Sequence, residues 1–357
     1  MVNKVSETRR FYTLDALRGV AAIGVVFGHT PWTTIKLPHF YLAVDLFFML
    51  SGFVIAYAYE QKLQSGMSPS RFMLARYVRL YPLYLVGTAI GIASALGSLY
   101  LDQSDFTAVG LAIATIAAIL MLPSPTWGST SEIAPLNQPA WSLYFEIAIN
   151  IVFALICPRM KTHTLMVIVA ISAAVLVWAT FQVPSLHAGF TWSTIWVGAV
   201  RVTFSFTAGV LLFRLRPTAL IKTNFAYLAP LFLLVVLGAH VSSVQIIELG
   251  AILILFPAII VFGSMIEPHH CSMANILGII SYPLYVIHEP VISLISKAFK
   301  FYDVVLNANA FNGILIVAVL SGVSLILHYG YDVPVRRTLG RVLQSSSLTR
   351  SRATAGR

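Results

Sequence analysis

Eleven apolar stretches run almost end to end through the chain, near residues 11–30, 41–60, 80–100, 107–122, 141–157, 164–182, 193–213, 225–240, 246–264, 276–296 and 312–331. A bilayer core about 30 Å thick needs roughly 20 such residues per helix. Only helices and closed barrels satisfy their own backbone polar groups at that depth. The chain therefore reads as an all-α protein, a polytopic transmembrane helical bundle. Composition agrees: 58% of the 357 residues are hydrophobic and 10% are charged, against about 45–50% and 25% in soluble domains. So few charges cannot cover a soluble surface, which excludes an ordinary cytosolic enzyme, a disordered chain and a secreted disulfide scaffold. Cys157 and Cys271 lie in or beside apolar stretches and neither has a CxxC partner. Lys4, Arg9 and Arg10 precede the first apolar run, but that run contains Asp15 and Arg18 and has no clear cleavage site. It reads as a first span rather than a removable signal.

The net charge of +10 would suggest nucleic acid on a soluble protein. Here its distribution reads as topology, with no nucleic-acid partner. Basic residues cluster before residue 11, at 62–79 (Lys62, Arg71, Arg76, Arg79), at 159–161, at 214–222 and after 335, where six arginines meet no acid. Under the positive-inside rule both termini are cytoplasmic, which demands an even number of crossings. Three apolar segments lie between the clusters at 62–79 and 159–161, where only two or four fit. Either 107–122 or 141–157 is therefore expected not to cross, giving ten spans and one re-entrant or tilted segment. The domain reading is one membrane-embedded unit, 1–340, and a basic, disordered cytoplasmic tail, 341–357, in a multi-pass protein of the cytoplasmic (inner) membrane.

Ionisable residues inside spans are costly and mark function by default. The first stretch holds Asp15, Arg18 and His29. At 100° per residue, His29 lies 20° beyond three full turns from Arg18, and about 16 Å along the axis. All three line one stripe, which fits either chemistry or a structural Asp–Arg pair with a satisfied histidine. Asp45 is a structural acid or a carboxylate that orients a neighbouring histidine; the adjoining Ser51-Gly52 reads as a close-packing site. Arg76 and Arg79, at i,i+3, share a helix face and suit bidentate phosphate binding as well as simple topological anchoring. Glu146 stands alone in an aromatic segment, Asn137 to Glu146, where irregular backbone would be tolerated beside a cavity. Arg201 has no nearby acid in sequence, so its partner is tertiary or a ligand. A proline precedes the intramembrane pair His288-Glu289. His269-His270-Cys271 lacks a second half, so no metal site is expected. His39, His163, His187, His240 and His328 read as interfacial or loop histidines. These residues fit a membrane-embedded transferase or a secondary transporter of a small polar molecule; the lack of internal symmetry leans to the transferase.

The segments LDALRGVAAIGVVFGHT, AVDLFFMLSGFVI, RFMLARYVRLYPLY, NQPAWSLYFE, RVTFSFTAGVLL, SYPLYVIHEP and YDVPVRR resemble, in order and over about residues 11–340, the acyltransferase 3 family of membrane O-acyltransferases. The resemblance implies transfer of an acyl group, usually acetyl, from cytoplasmic acetyl-CoA to a hydroxyl at the outer side. Acyl-CoA is then a donor substrate and no cofactor is bound. It makes Arg18 and His29 the essential pair and links Arg76 and Arg79 to the donor. Asp45, Glu146, Arg201 and His288 fall on characteristic positions: Asp45 and Glu146 are expected beside His29 in catalysis, Arg201 and His288 with the donor arginines. His29 would act as a base oriented by Asp45 or Glu146, or would carry the acyl group itself. Asp332 stands where the family usually has Glu, and no SGNH-type domain follows the last span in this sequence. The expected acceptor is a cell-surface or exported carbohydrate, a polysaccharide or lipid-linked sugar; a small molecule such as a macrolide is the other acceptor class.

Overall fold

A computed structural model describes residues 9–126, 131–241 and 243–341. Every one of the eleven apolar stretches is helical. The helices are α1 (Tyr12–His29), α2 (Ala43–Gln64), α3 (Pro69–Tyr100), α4 (Ala108–Ile119), α5 (Trp141–Ile156) and α6 (Thr162–Thr180). They continue with α7 (Ile195–Leu215), α8 (Leu228–Leu237), α9 (Val244–Gly250), α10 (Phe256–Met265), α11 (Ser272–Phe301) and α12 (Ala310–Leu327). A π-helical turn, Ala251–Leu255, fuses α9 to α10, and a second, His328–Asp332, prolongs α12. The described residues hold one β-pairing between named strands, a two-residue parallel ladder of β1 (Ile221–Lys222) and β2 (Ile266–Glu267). The protein is an all-α polytopic bundle.

Among the described residues, eight helices, counting α9–α10 as one, are long and apolar enough to cross a membrane. Of the two segments at the parity break, 141–157 lies within a 22-residue apolar helix, Gln138–Arg159. The other, α4, has 12 residues, about 18 Å at 1.5 Å per residue, well short of a bilayer core. The basic stretch at 69–79 is the start of α3: Ser68 caps the helix by accepting the Arg71 N–H at 3.3 Å, Pro69 follows at the first position, and Arg76 and Arg79 share its face as expected. The tail beyond Arg341 lies outside the described residues.

The centre of the bundle is α1 and α2. Helix α1 packs against α11, α8 and α2, and α2 against α7. In lipid, apolar surface gives no drive for helices to associate, so close contact has to come from small residues. The α2–α7 crossing shows this reciprocally. A Cβ on Gly52 would stand 2.1 Å from the Phe206 carbonyl oxygen, and one on Gly209 would stand 2.0 Å from that of Met49. Gly52 is the close-packing position its sequence setting suggests. At the periphery, α6 and α12 turn Ile171, Val175, Val319 and Ile326 outward, the apolar coat a bilayer requires.

Candidate active site

The helical count along α1 holds: its polar stripe faces α11. Arg18 donates through Nη2 to Asp15 at 3.1 Å and to the Gly278 carbonyl at 3.2 Å, and through Nε to the Ser281 hydroxyl at 2.8 Å. At the other end of the stripe His29 Nδ1 lies 3.0 Å from the Val25 carbonyl and 3.4 Å from His288 Nε2. His288 Nδ1 in turn meets the Tyr285 carbonyl at 2.8 Å and that of Leu284 at 3.1 Å. Carbonyls only accept, so both imidazoles carry their proton on Nδ1. His288 Nε2 then accepts from His29 Nδ1, and His29 Nε2 keeps a lone pair. The Gln138 side chain is a further hydrogen-bond partner of His29.

Two cavities flank this stripe. The inner one, about 140 Å³, is lined by Arg18, Arg76, Arg79, Ser51, Glu146 and Tyr282 among others. The outer one, about 30 Å³, is lined by His29, Gln138, Phe40, Tyr41, His187 and Arg201 among others. Val44 and Tyr285 line both. Tyr285 is fixed there by its hydroxyl, 2.8 Å from Ser142 Oγ and 3.2 Å from the Pro139 carbonyl, and by edge-on contact with Phe47 at 5.3 Å. The NQPAWSLYFE segment thus serves both chambers, Gln138 the outer and Ser142 and Glu146 the inner.

Each arginine of the inner cavity lies within 4 Å of a carboxylate, Arg18 of Asp15, Arg76 of Glu146 and Arg79 of Asp332. Arg76 donates to Glu146 at 2.6 Å, and Glu146 also accepts from Ser51 at 2.8 Å. Arg79 lies 3.6 Å from the buried Asp332, which is held 2.6 Å from Arg336 and 3.5 Å from His328. Asp332, the substituted family position, therefore ties the closing motif to the Arg76–Arg79 pair. Arg76 Nε is buried and without a partner, an unclaimed donor at the cavity wall.

The carboxylate expected to orient His29 is not there. Asp45 pairs with Arg201 instead, at 2.6 Å, and Glu146 pairs with Arg76 in the other chamber. Arg201 gives its remaining donors to the carbonyls of Ala188 at 2.8 Å and Tyr41 at 3.0 Å. The expectation that Arg201 serves the donor side is corrected likewise, because it is held by Asp45 and these two carbonyls and lines the outer cavity, not the inner one. His288, also expected with the donor arginines, is bonded to His29. Burial decides these pairings: Asp45 is 0% and Arg201 1% exposed, and a charge so placed needs a charged partner. The neighbouring Glu289 accepts the Gln138 backbone N–H and so steadies the turn beside His29.

Two participants escape the sequence reading. Glu248 is fully buried, and one of its oxygens accepts from Tyr41 OH, Ser185 OH and Leu186 N–H, each at 2.7 Å. It pins the loop that carries His187, whose ring stacks on Tyr41 with centroids 5.0 Å apart. A lone acid in the apolar run 246–264 was the available signal for Glu248. His187 carries none, since only the loop's path brings it over the outer cavity.

A family model described as an acyltransferase domain, acyltransferase 3, matches residues 11–330. The chain belongs to the acyltransferase 3 family. Membership makes it an O-acyltransferase, embedded in a membrane by several helices. Among curated relatives, protein 2 in the picA locus of Rhizobium radiobacter is 37% identical over 192 residues, half of this chain and 98% of that protein. The exopolysaccharide production protein ExoZ of Rhizobium meliloti (strain 1021) is 26% identical over 269 residues, 71% of this chain and 77% of ExoZ. The acyltransferase MdmB of Streptomyces mycarofaciens is 32% identical over 120 residues, 32% of this chain and 27% of MdmB. No solved structure matches the chain.

Proposed function

We propose that this acyltransferase 3 protein moves an acetyl group from cytoplasmic acetyl-CoA to a hydroxyl of a cell-surface or exported carbohydrate across the inner membrane. One observation carries the reading: a chamber of arginines and a chamber lined by His29 meet at Val44 and Tyr285, which line both. The donor enters the inner chamber, where Arg76 and Arg79 lie ready for its anionic groups, and its thioester reaches the partition past Arg18. On the other side His29 Nε2 takes the proton of an acceptor hydroxyl as that oxygen attacks the thioester carbonyl. The C–S bond breaks, the CoA thiolate leaves, and the proton held on His29 passes to it. His288 accepts from His29 Nδ1–H and keeps the ring in the base-competent tautomer. General-base help of this kind contributes about 10²–10⁴-fold. A carbohydrate acceptor is supported by ExoZ, whose name ties it to exopolysaccharide production.

The test is His29→Ala expressed in a strain lacking the native protein, with O-acetyl groups on surface glycan quantified by NMR. Acetylation should fall to background. Wild-type acetylation in that variant would remove the histidine, and with it this mechanism.

A further inference from the structure

A third cavity opens below the inner chamber. It measures about 410 Å³ and is lined by Arg9, Arg10, Phe11, Asp15, Arg18 and Tyr57 among others. Arg18, Leu50 and Val54 line both it and the inner chamber, so the two adjoin. Their electrostatics differ. In the inner chamber every arginine faces a carboxylate. In this vestibule Arg9 has no acid within 4 Å among the described residues; it donates one Nη2–H to the Ser264 carbonyl at 2.8 Å and leaves its buried Nε unpartnered. Arg10 shares the single carboxylate of Asp15 with Arg18, at 2.6 Å and 3.1 Å. Arg216 also lacks an acid among the described residues. It does not itself line the cavity but stands behind Tyr57, which does: it donates to the Phe213 carbonyl, stacks 3.9 Å over the Phe213 ring, lies 6.0 Å from the Tyr57 ring, and is near enough to Arg9 to feel its charge.

Unpaired guanidiniums beside an aromatic ring suit a phosphorylated aromatic base: forked N–H donors match phosphate oxygens, and the ring offers a stacking face. The sizes point the same way. A chamber of about 140 Å³ suits a slender thiol-bearing arm, while about 410 Å³ falls in the usual range for a small-molecule site.

We infer that the vestibule seats the nucleotide end of the donor, with the 3′-phosphate of acyl-CoA held by Arg9 and Arg216 and the purine against Tyr57. This rests on the acyl-CoA reading above. It divides the labour: the vestibule arginines select the nucleotide, and the carboxylate-paired Arg76 and Arg79 guide the arm and its thioester.

The experiment measures acetyl-CoA and acetyl-(3′-dephospho)-CoA binding to the full chain in detergent by calorimetry. Wild type should bind the phosphorylated form at least about tenfold tighter, the worth of one charge-assisted contact. In Arg9→Gln/Arg216→Gln that preference should collapse towards one, through weaker acetyl-CoA binding alone. If the glutamine pair is not recovered from membranes, Arg9→Lys/Arg216→Lys keeps the basic edge but loses the planar fork, and the preference should fall at least about threefold. Equal wild-type affinity for the two ligands, or a preference that survives the substitutions, overturns the vestibule assignment and leaves the acyl-CoA reading standing. Absence of binding of either ligand by wild type overturns both.

Discussion

Removing either half of the Asp45–Arg201 pair strands the other half inside the bundle. Both side chains are excluded from solvent, and the guanidinium spends its donors on the carboxylate and on the carbonyls of Ala188 and Tyr41. Breaking a buried pair from one side costs about 3–5 kcal/mol. Asp45→Asn should cost about that much, because Arg201 keeps its two carbonyls. Arg201→Met should cost more, at least about 5 kcal/mol, since it also leaves two buried carbonyls unpaired at about 1–3 kcal/mol each. The double variant Asp45→Asn/Arg201→Met holds no stranded charge, so its cost should fall short of the sum of the two single costs by at least about 2 kcal/mol, a coupling typical of directly paired groups. Denaturant unfolding of the detergent-purified protein, followed by tryptophan fluorescence, measures all four corners of the cycle. If the single effects simply add, the pair is not what holds these groups in place. Acetyl-CoA affinity supplies a second reading and should stay within about twofold, because Arg201 does not line the donor chamber.

Three further outcomes follow from the packing. Gly52→Val pushes a branched side chain into the Phe206 carbonyl, 2.1 Å from where its Cβ would stand; forcing α2 and α7 apart should cost at least about 3 kcal/mol, and unchanged thermal stability would contradict the crossing. Glu248→Leu removes the acceptor of three hydrogen bonds, so the Leu186 amide should exchange at least about tenfold faster by hydrogen–deuterium mass spectrometry. Glu267 accepts the Tyr12 N–H at 2.9 Å, and burial pushes its carboxyl from 4.5 up to about 7. The folded state therefore holds a proton the unfolded chain has released, so stability from this group is complete below about pH 4.5 and is lost as pH rises through about 7. Thermal unfolding should show Glu267→Gln with a flatter decline between pH 5 and 8 than wild type; identical slopes would discard Glu267 as the titrating group.

What the sequence discloses here is whatever depends on near neighbours. The apolar runs become helices because a chain in lipid must satisfy its own backbone, and the alignment of Asp15, Arg18 and His29 follows from the helical turn alone. Pairings that cross from helix to helix are another matter. Asp45 and Arg201 lie 156 positions apart, and Arg76 and Glu146 lie 70 apart; each acid was a reasonable partner for His29 until the fold assigned it elsewhere. His29's companion in the fold, His288, stood in plain view as one half of an intramembrane pair. No local rule says that its ring would meet His29 while Glu289 met the Gln138 backbone. His187 is the extreme case, a loop histidine brought over the cavity by Glu248 and Arg201, two residues that do not neighbour it in the chain.

The inner and outer cavities have Val44 and Tyr285 in common, so they adjoin at those two side chains. A membrane voltage falls across whatever separates the two aqueous sides, and each elementary charge carried over the full drop gains or loses about 2.3 kcal/mol per 100 mV. In the proposed transfer an acyl group passes outward in exchange for a hydroxyl proton that passes inward to the thiolate. One formal positive unit travels each way, so no net charge crosses the partition. The reaction's driving force is then set by thioester chemistry alone and is the same in an energised and a depolarised cell.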